Sequence, residues 1–198
     1  MTILDPRTEE ALRHGFSLYL NPFMVTLWRL GLGSWFNVWP EASGRVMVIR
    51  QTGRKTGQCR LTPVNYALVD GELYAVAGFG PISDWYRNLM ANPKVEVWLP
   101  DGWWSATVED ISDSEHRLRL LREVIIGSGF VAYLFGLNPR TCSDNFLETT
   151  CAKYRLLHVR RTAARTGRGG PGDLAWVWPL ATMILLPLAL MRRRRKGR

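Results

Sequence analysis

The chain has 198 residues, 46% of them hydrophobic and 22% charged, and a formal net charge of +9. That apolar content excludes a disordered chain, and the lack of a set of long apolar runs excludes a polytopic membrane protein. Residues 153–198 hold twelve Lys/Arg against one acid, a net +11, whereas residues 1–152 hold fourteen against sixteen, a net −2, so the basicity belongs to the tail and no nucleic-acid partner is expected.

Cys59, Cys142 and Cys151 are too few and too unpatterned for a disulfide framework or a zinc site, which points to a reducing, cytosolic compartment. The opening MTILDPRTEE lacks the basic start and apolar core of a secretory signal, so none is expected. Residues 6–20 have a proline start, early acids and helical apolar spacing, and predict a helix. Residues 22–39 are apolar and aromatic, and predict either a core helix or a surface helix anchored at a membrane by Trp28, Trp35 and Trp39.

From residue 45 the pattern turns to short β-like runs. Strands are predicted at 45–51, 59–69 and 72–78, with TGRKTG turning the first pair and Asp70-Gly71 the second. SDWYRNLMAN (83–92) reads as a helix capped by Ser83 and ended by Pro93. KVEVWL (94–99) and WWSATVEDI (103–111) form another hairpin, and a helix follows with Ser112 and Glu115 in a capping pattern. Residues 129–150 read as helical or irregular, and 154–161 as a final strand. Short strands joined by hairpins, with few helices between, argue for a closed or half-closed antiparallel barrel.

After the barrel, TGRGGPGD reads as a flexible linker, then LAWVWPLATMILLPLALM (174–191) runs eighteen residues without a charge into RRRRKGR. The expected organisation is a barrel at 1–162, a linker at 163–173, an apolar membrane segment at 174–191 and a basic tail at 192–198. Both flanks of the apolar segment are basic and Pro179 and Pro187 interrupt it, so a spanning helix and a dip into the cytoplasmic leaflet both fit. Either predicts attachment to an anionic membrane at its cytoplasmic face.

Two loops carry the chemistry. Thr52–Arg60 sets three cations at the tip and descending arm of a hairpin, where unpaired amides and Arg54, Lys55 and Arg60 suit a phosphate. Ala77–Tyr86 runs through small residues from a strand into a helix start, which lets a flat or anionic ligand approach the backbone. No Ser/His/Asp set or metal cluster accompanies them, and His14, His116 and His158 are scattered.

The run TGRKTG-x-x-R-x-TP-x-x-Y-x-x-x-DG-x-x-Y-x-VA, a glycine loop, then WYRNLMANPKVEV resembles the deazaflavin-dependent nitroreductase family, over roughly 15–160 and most densely over 48–98. The resemblance implies an α+β, mainly β fold: a split β-barrel of the FMN-binding type with peripheral helices, here followed by a membrane-directed helical tail. It implies coenzyme F420, with FMN as the alternative, and hydride transfer to a hydrophobic small molecule such as a quinone or nitro compound. Arg54, Lys55, Thr56 and Arg60 would face the cofactor's phosphate and oligoglutamate tail. Thr62 and Pro63 would line the ring; Ala77, Gly78 and Phe79 would give it backbone contacts; Trp85 and Asn88 would close the pocket.

Two departures from the family pattern stand out. The loop is Gly78-Phe79-Gly80, without the usual Ser and Lys, and the late stretch GFVAYLFGLNPRT offers Tyr133 as its one tyrosine for the substrate side. Nitroimidazole reduction is therefore not carried over. A homodimer is compatible with the family, and a non-catalytic split barrel binding FMN, haem or lipid at the membrane is the alternative reading.

Overall fold

The computed structural model describes residues 6–39, 44–134 and 137–196. Six antiparallel strands close a barrel in the order β1-β2-β3-β6-β5-β4. They are β1 (Val46–Thr52), β2 (Cys59–Val69), β3 (Glu72–Ala77), β4 (Lys94–Leu99), β5 (Gly102–Asp110) and β6 (Arg155–Ala164). Each tight hairpin follows from its turn residues. Asp70 and Gly71 take φ of 53° and 84°, the left-handed pair that a two-residue turn matched to strand twist requires. Alternation then sends Met47, Ile49, Val64, Tyr66, Val97 and Val159 into one barrel core.

The barrel is split along β2. Residues 59–65 pair with β1, while 66–69 pair with β3, so the first half of β2 keeps one edge off the ladder. Pro63 sits in that half, where its missing N–H leaves no rung unmade on the open side.

Around the barrel lie α1 (Pro6–Gly15), a π-helical turn (Phe16–Leu20), α2 (Asn21–Arg29) and a 3-10 turn (Gly33–Asn37). The predicted single helix at 22–39 is thus broken at Gly31, whose φ is 80°. Trp28 is core, packed with Val48, Trp98 and Trp103, whereas Trp35 and Trp39 are exposed. Helix α3 (Asp84–Ala91) precedes β4; α4 (Arg117–Gly127), α5 (Phe130–Leu134) and α6 (Asp144–Thr150) precede β6. Ser112 does not cap α4, which starts five residues later. Its hydroxyl donates to Asp110 Oδ1 and accepts from the Leu156 amide, tying β5 to β6.

The C-terminal region departs most from expectation. Residues 163 and 164 are still strand, and the glycine-rich segment after them is docked rather than loose. Gly170 lies against the Trp103 ring, the Gly172 and Leu174 amides donate to Trp28 O and Arg29 O, and Arg29 forks Asp173 at 2.9–3.2 Å. Trp178 Nε1 then donates to Leu30 O at 2.8 Å.

Helix α7 (Val177–Lys196) leaves from this anchor. Among the described residues no helix is long and apolar enough to cross a membrane, which corrects the spanning reading. Of the 20 residues of α7 the last five are cationic. The 15 that remain rise about 22 Å at 1.5 Å each, short of the roughly 30 Å hydrocarbon core.

Candidate functional site

A cavity of about 1180 Å³ opens at the split of the barrel. It exceeds the roughly 300–1,000 Å³ usual for a single small-ligand site, which leaves room for a tricyclic ring and a second molecule beside it. Its walls differ in character. One end carries Arg54, Lys55, Thr56 and Arg60 from the β1–β2 hairpin, and Thr62 and Pro63 continue down β2. Gly78, Phe79, Trp85 and Asn88 form another side. Apolar side chains line it as well: Met24 from α2, Val124 and Ile125 from α4, Ala132 from α5, and Leu137.

Ten of the residues expected at a ligand therefore meet in one place. Two do not. Ala77 is fully buried within β3, paired with Arg155, and does not line the cavity. Tyr133 is 54% exposed and lies off the cavity wall, whereas Tyr154, which no sequence pattern marked, lies on it.

The hairpin presents side-chain charge rather than bare amides. The Gly53 amide donates to Gln58 O, Gly57 to Gly53 O, Gln58 to Thr56 Oγ1 and Arg54 to Asn88 Oδ1. Closing the turn on itself uses those donors. Lys55 stands exposed at the tip, and Arg60 Nη2 donates to Gln58 Oε1.

Arg54 lines the cavity and also has a structural job. Its guanidinium donates to Asp84 Oδ1 at 2.8 Å, Asp84 O at 3.2 Å and Asn88 Oδ1 at 3.0 Å. The Arg54 bond, against a smaller effect of burial, holds the Asp84 carboxyl below its ordinary range. Arg54 and Asn88 thus lock the hairpin to the first turns of α3, with the Asn88 carboxamide oxygen accepting both bonds. Trp85 packs on the barrel core behind them.

The glycine loop is fixed from behind. Gly80 has φ of 60° and lies so close to Lys153 O that a Cβ there would stand 2.3 Å from it. Phe79 meets Phe16 of the π-helical turn at 6.4 Å between ring centroids, so the N-terminal helices roof the cavity. That roof was not legible in the motifs, because α1 and α2 reach the site through packing alone.

Residues 33–128 match the family model described as F420H(2)-dependent quinone reductase. Solved structures similar to this chain include a conserved hypothetical protein from Mycobacterium tuberculosis, 21% identical, covering 66% of this chain and 79% of that one with a TM-score of 0.42. They also include an F420-H2 dependent reductase (FDR-A), 22% identical, covering 58% and 93% with a TM-score of 0.40. A putative 5-nitroimidazole antibiotic resistance protein from Bacteroides thetaiotaomicron is 14% identical, covering 61% and 74% with a TM-score of 0.40.

The family match supports coenzyme F420 as the cofactor. The cavity fits it on its own terms. There is a cationic end for a phosphate and a polyanionic tail, and there are apolar side chains for a ring.

Proposed function

We propose that this F420-dependent oxidoreductase reduces a hydrophobic acceptor, a quinone or a nitro compound, bound beside the cofactor. The carrying observation is the two-sided cavity, cationic along the β1–β2 hairpin and apolar along α4 and α5, with volume beyond one ligand. When bound, the reduced deazaflavin supplies a hydride. Lys55 and Arg60 would hold its anionic tail by charge, and Thr62, Pro63 and Gly78 would line its ring. Val124, Ile125 and Leu137 exclude water from the face where the acceptor sits and favour an apolar one. The acceptor completes its two-electron reduction with a proton from solvent.

The test is anaerobic. Full-length protein is titrated with F420 by fluorescence, with FMN and haem in parallel, and then F420H2 oxidation is followed with quinones and nitro compounds of graded polarity. Turnover that rises with acceptor hydrophobicity supports the reading. Tight binding of FMN or haem without F420 binding would replace it with the storage or flavin-binding alternative.

We further propose that α7 attaches the enzyme to the cytoplasmic face of an anionic membrane by lying in the interface. Met183, Ile184, Leu185 and Leu186 are each more than half exposed, and six of the seven residues at 192–198 are Arg or Lys. An interfacial helix needs to sink only about 5–10 Å, which its apolar length allows. Each cation adds about 1 kcal/mol near such a surface. Flotation with anionic vesicles, lost in zwitterionic vesicles or on truncation after Pro179, is the expected result; equal flotation in both would refute it.

A further inference from the structure

Where α4 meets the barrel, the cavity wall holds a carboxamide among apolar side chains. Asn65 lies on β2 two residues beyond Pro63, and alternation puts the two on one face of the strand, about 7 Å apart. Both line the cavity, as do Val46, the cross-strand partner of Asn65, and Val124, Ile125 and Ser128 at the end of α4.

The backbone pins Asn65 at the foot of that helix. A Cβ on Gly44 would stand 2.7 Å from Ser128 O and 3.0 Å from Asn65 Nδ2, so one glycine touches both. Arg45 O accepts from Asn65 Nδ2 at 3.2 Å and from the Tyr66 amide at 3.1 Å, and the Arg45 amide donates to Gly127 O. The start of β1, the middle of β2 and the end of α4 are thus joined at one point.

The bond to Arg45 O uses one N–H of the carboxamide, which has two, together with two acceptor sites on its oxygen. The second N–H and Oδ1 have no partner among the described residues. The unpartnered side-chain atoms sealed inside the protein belong to Trp28, Gln51, Ser83 and Trp98; Asn65 is half-buried and its Oδ1 is not one of them. The carboxamide is therefore held by main chain on one side and accessible on the other.

We propose that Asn65 binds the reducible oxygen of the acceptor, its second N–H donating to a quinone carbonyl seated against Val124 and Ile125. This inference rests on the deazaflavin-dependent reading and names a contact for the acceptor that the reading leaves open. As the acceptor takes a hydride from the reduced cofactor, the arriving electron pair leaves negative charge on this oxygen. One solvent proton neutralises it, the product is the hydroquinone, and the cofactor is left oxidised. A donor fixed before the charge develops stabilises it without reorienting, and Arg45 O supplies that fixing. The open Oδ1 can then accept from the hydroxyl that results.

The experiment uses full-length Asn65→Leu and Asn65→Ser, neither of which carries a side-chain N–H. F420 affinity is read by fluorescence titration. Oxidation of F420H2 is then followed with a naphthoquinone and with an N-methylphenazinium dye, a flat hydride acceptor that has no oxygen. Both variants give up the bond to Arg45 O and are expected to melt earlier, so the two acceptors are compared on the same F420-binding sample. The kcat/KM for the naphthoquinone is expected to fall about 10- to 100-fold, the loss of one hydrogen bond to a developing charge. The dye and the F420 Kd should change little.

An equal loss on both acceptors, or none on the naphthoquinone, would overturn the proposal and leave the deazaflavin reading intact. A rise in F420 Kd matching the loss would also overturn it, by moving Asn65 to the cofactor. In wild type, the carbonyl stretch of an isotope-labelled naphthoquinone bound beside oxidised F420 should lie below its value in an apolar solvent. An unshifted band would overturn the proposal even if neither variant folds. Failure of wild type to bind F420 would instead remove the reading itself, and this inference with it.

Discussion

Replacing Asn88 with leucine is expected to weaken cofactor binding by releasing the hairpin from α3. Asn88 is 7% exposed, and its Oδ1 accepts from the Arg54 amide at 3.1 Å and the Arg54 guanidinium at 3.0 Å. A neutral hydrogen bond is worth about 0.5–1.5 kcal/mol net and one from a charged donor about 1.5–3 kcal/mol. The guanidinium keeps its contacts to Asp84, so the loss lies near the lower end, about 2 kcal/mol. For a chain of this size that corresponds to a drop of about 4–8 °C in Tm. With the hairpin released from α3, Lys55 and Arg60 lose their fixed place, and F420 Kd rises as a secondary effect.

Three variants separate positioning from contact when unfolding is followed by circular dichroism and binding by cofactor fluorescence. Asn88→Leu should lower Tm and raise Kd. Asn88→Asp, which keeps an acceptor beside Arg54, should restore Tm. Lys55→Ala should leave Tm unchanged and raise Kd about tenfold at low salt, an effect that shrinks as salt screens the charge. The reasoning fails if Asn88→Leu melts like wild type, or if its Kd changes while its Tm does not.

Gly80→Ala should destabilise the chain by about 1–3 kcal/mol and distort the glycine loop, because a Cβ there meets the Lys153 carbonyl and φ is 60°; an unchanged Tm would contradict this. Stability should fall at both pH extremes through the Tyr86–Asp110–Ser112 cluster. Burial pushes the Asp110 carboxyl up, but hydrogen bonds from Ser112 and Tyr86 outweigh it, so its folded pKa is depressed. Its stabilisation is therefore present above about pH 3.9 and lost as pH falls through the folded value. Burial and the Asp110 bond push Tyr86 up to about 12, so that stabilisation is present below about pH 10 and lost as pH rises towards 12. Urea unfolding of Tyr86→Phe across pH should show a flatter alkaline limb. Asp173→Ala removes a forked but partly exposed pair, worth about 1 kcal/mol, and should open the segment at Arg165 and Arg168 to trypsin; equal cleavage rates would show that the pair does not hold it.

Much of the barrel could be read from neighbouring residues, because the forces that make strands and tight turns act over a few positions. Alternating side chains bounded β2 at Cys59–Val69 and β4 at Lys94–Leu99, and Asp70-Gly71 dictated its hairpin through backbone sterics alone. The loops that meet at the cavity were likewise marked by their own cations and glycines. What each polar group does there was decided by distant partners. Ser112 and Ser83 both look like caps, yet one bonds Asp110 and Leu156 and the other makes no cap bond. Arg54 looks like a phosphate fork and is held by Asp84 and Asn88, thirty or more residues away. The glycine-rich segment looks like a linker until Trp28, Arg29 and Trp103 arrive from elsewhere in the chain to hold it. A hydrogen-bond donor or a bare glycine surface carries no record of its partner in the local sequence. Only closure of the barrel, which brings residues 29 and 173 within 3 Å, selects the partner.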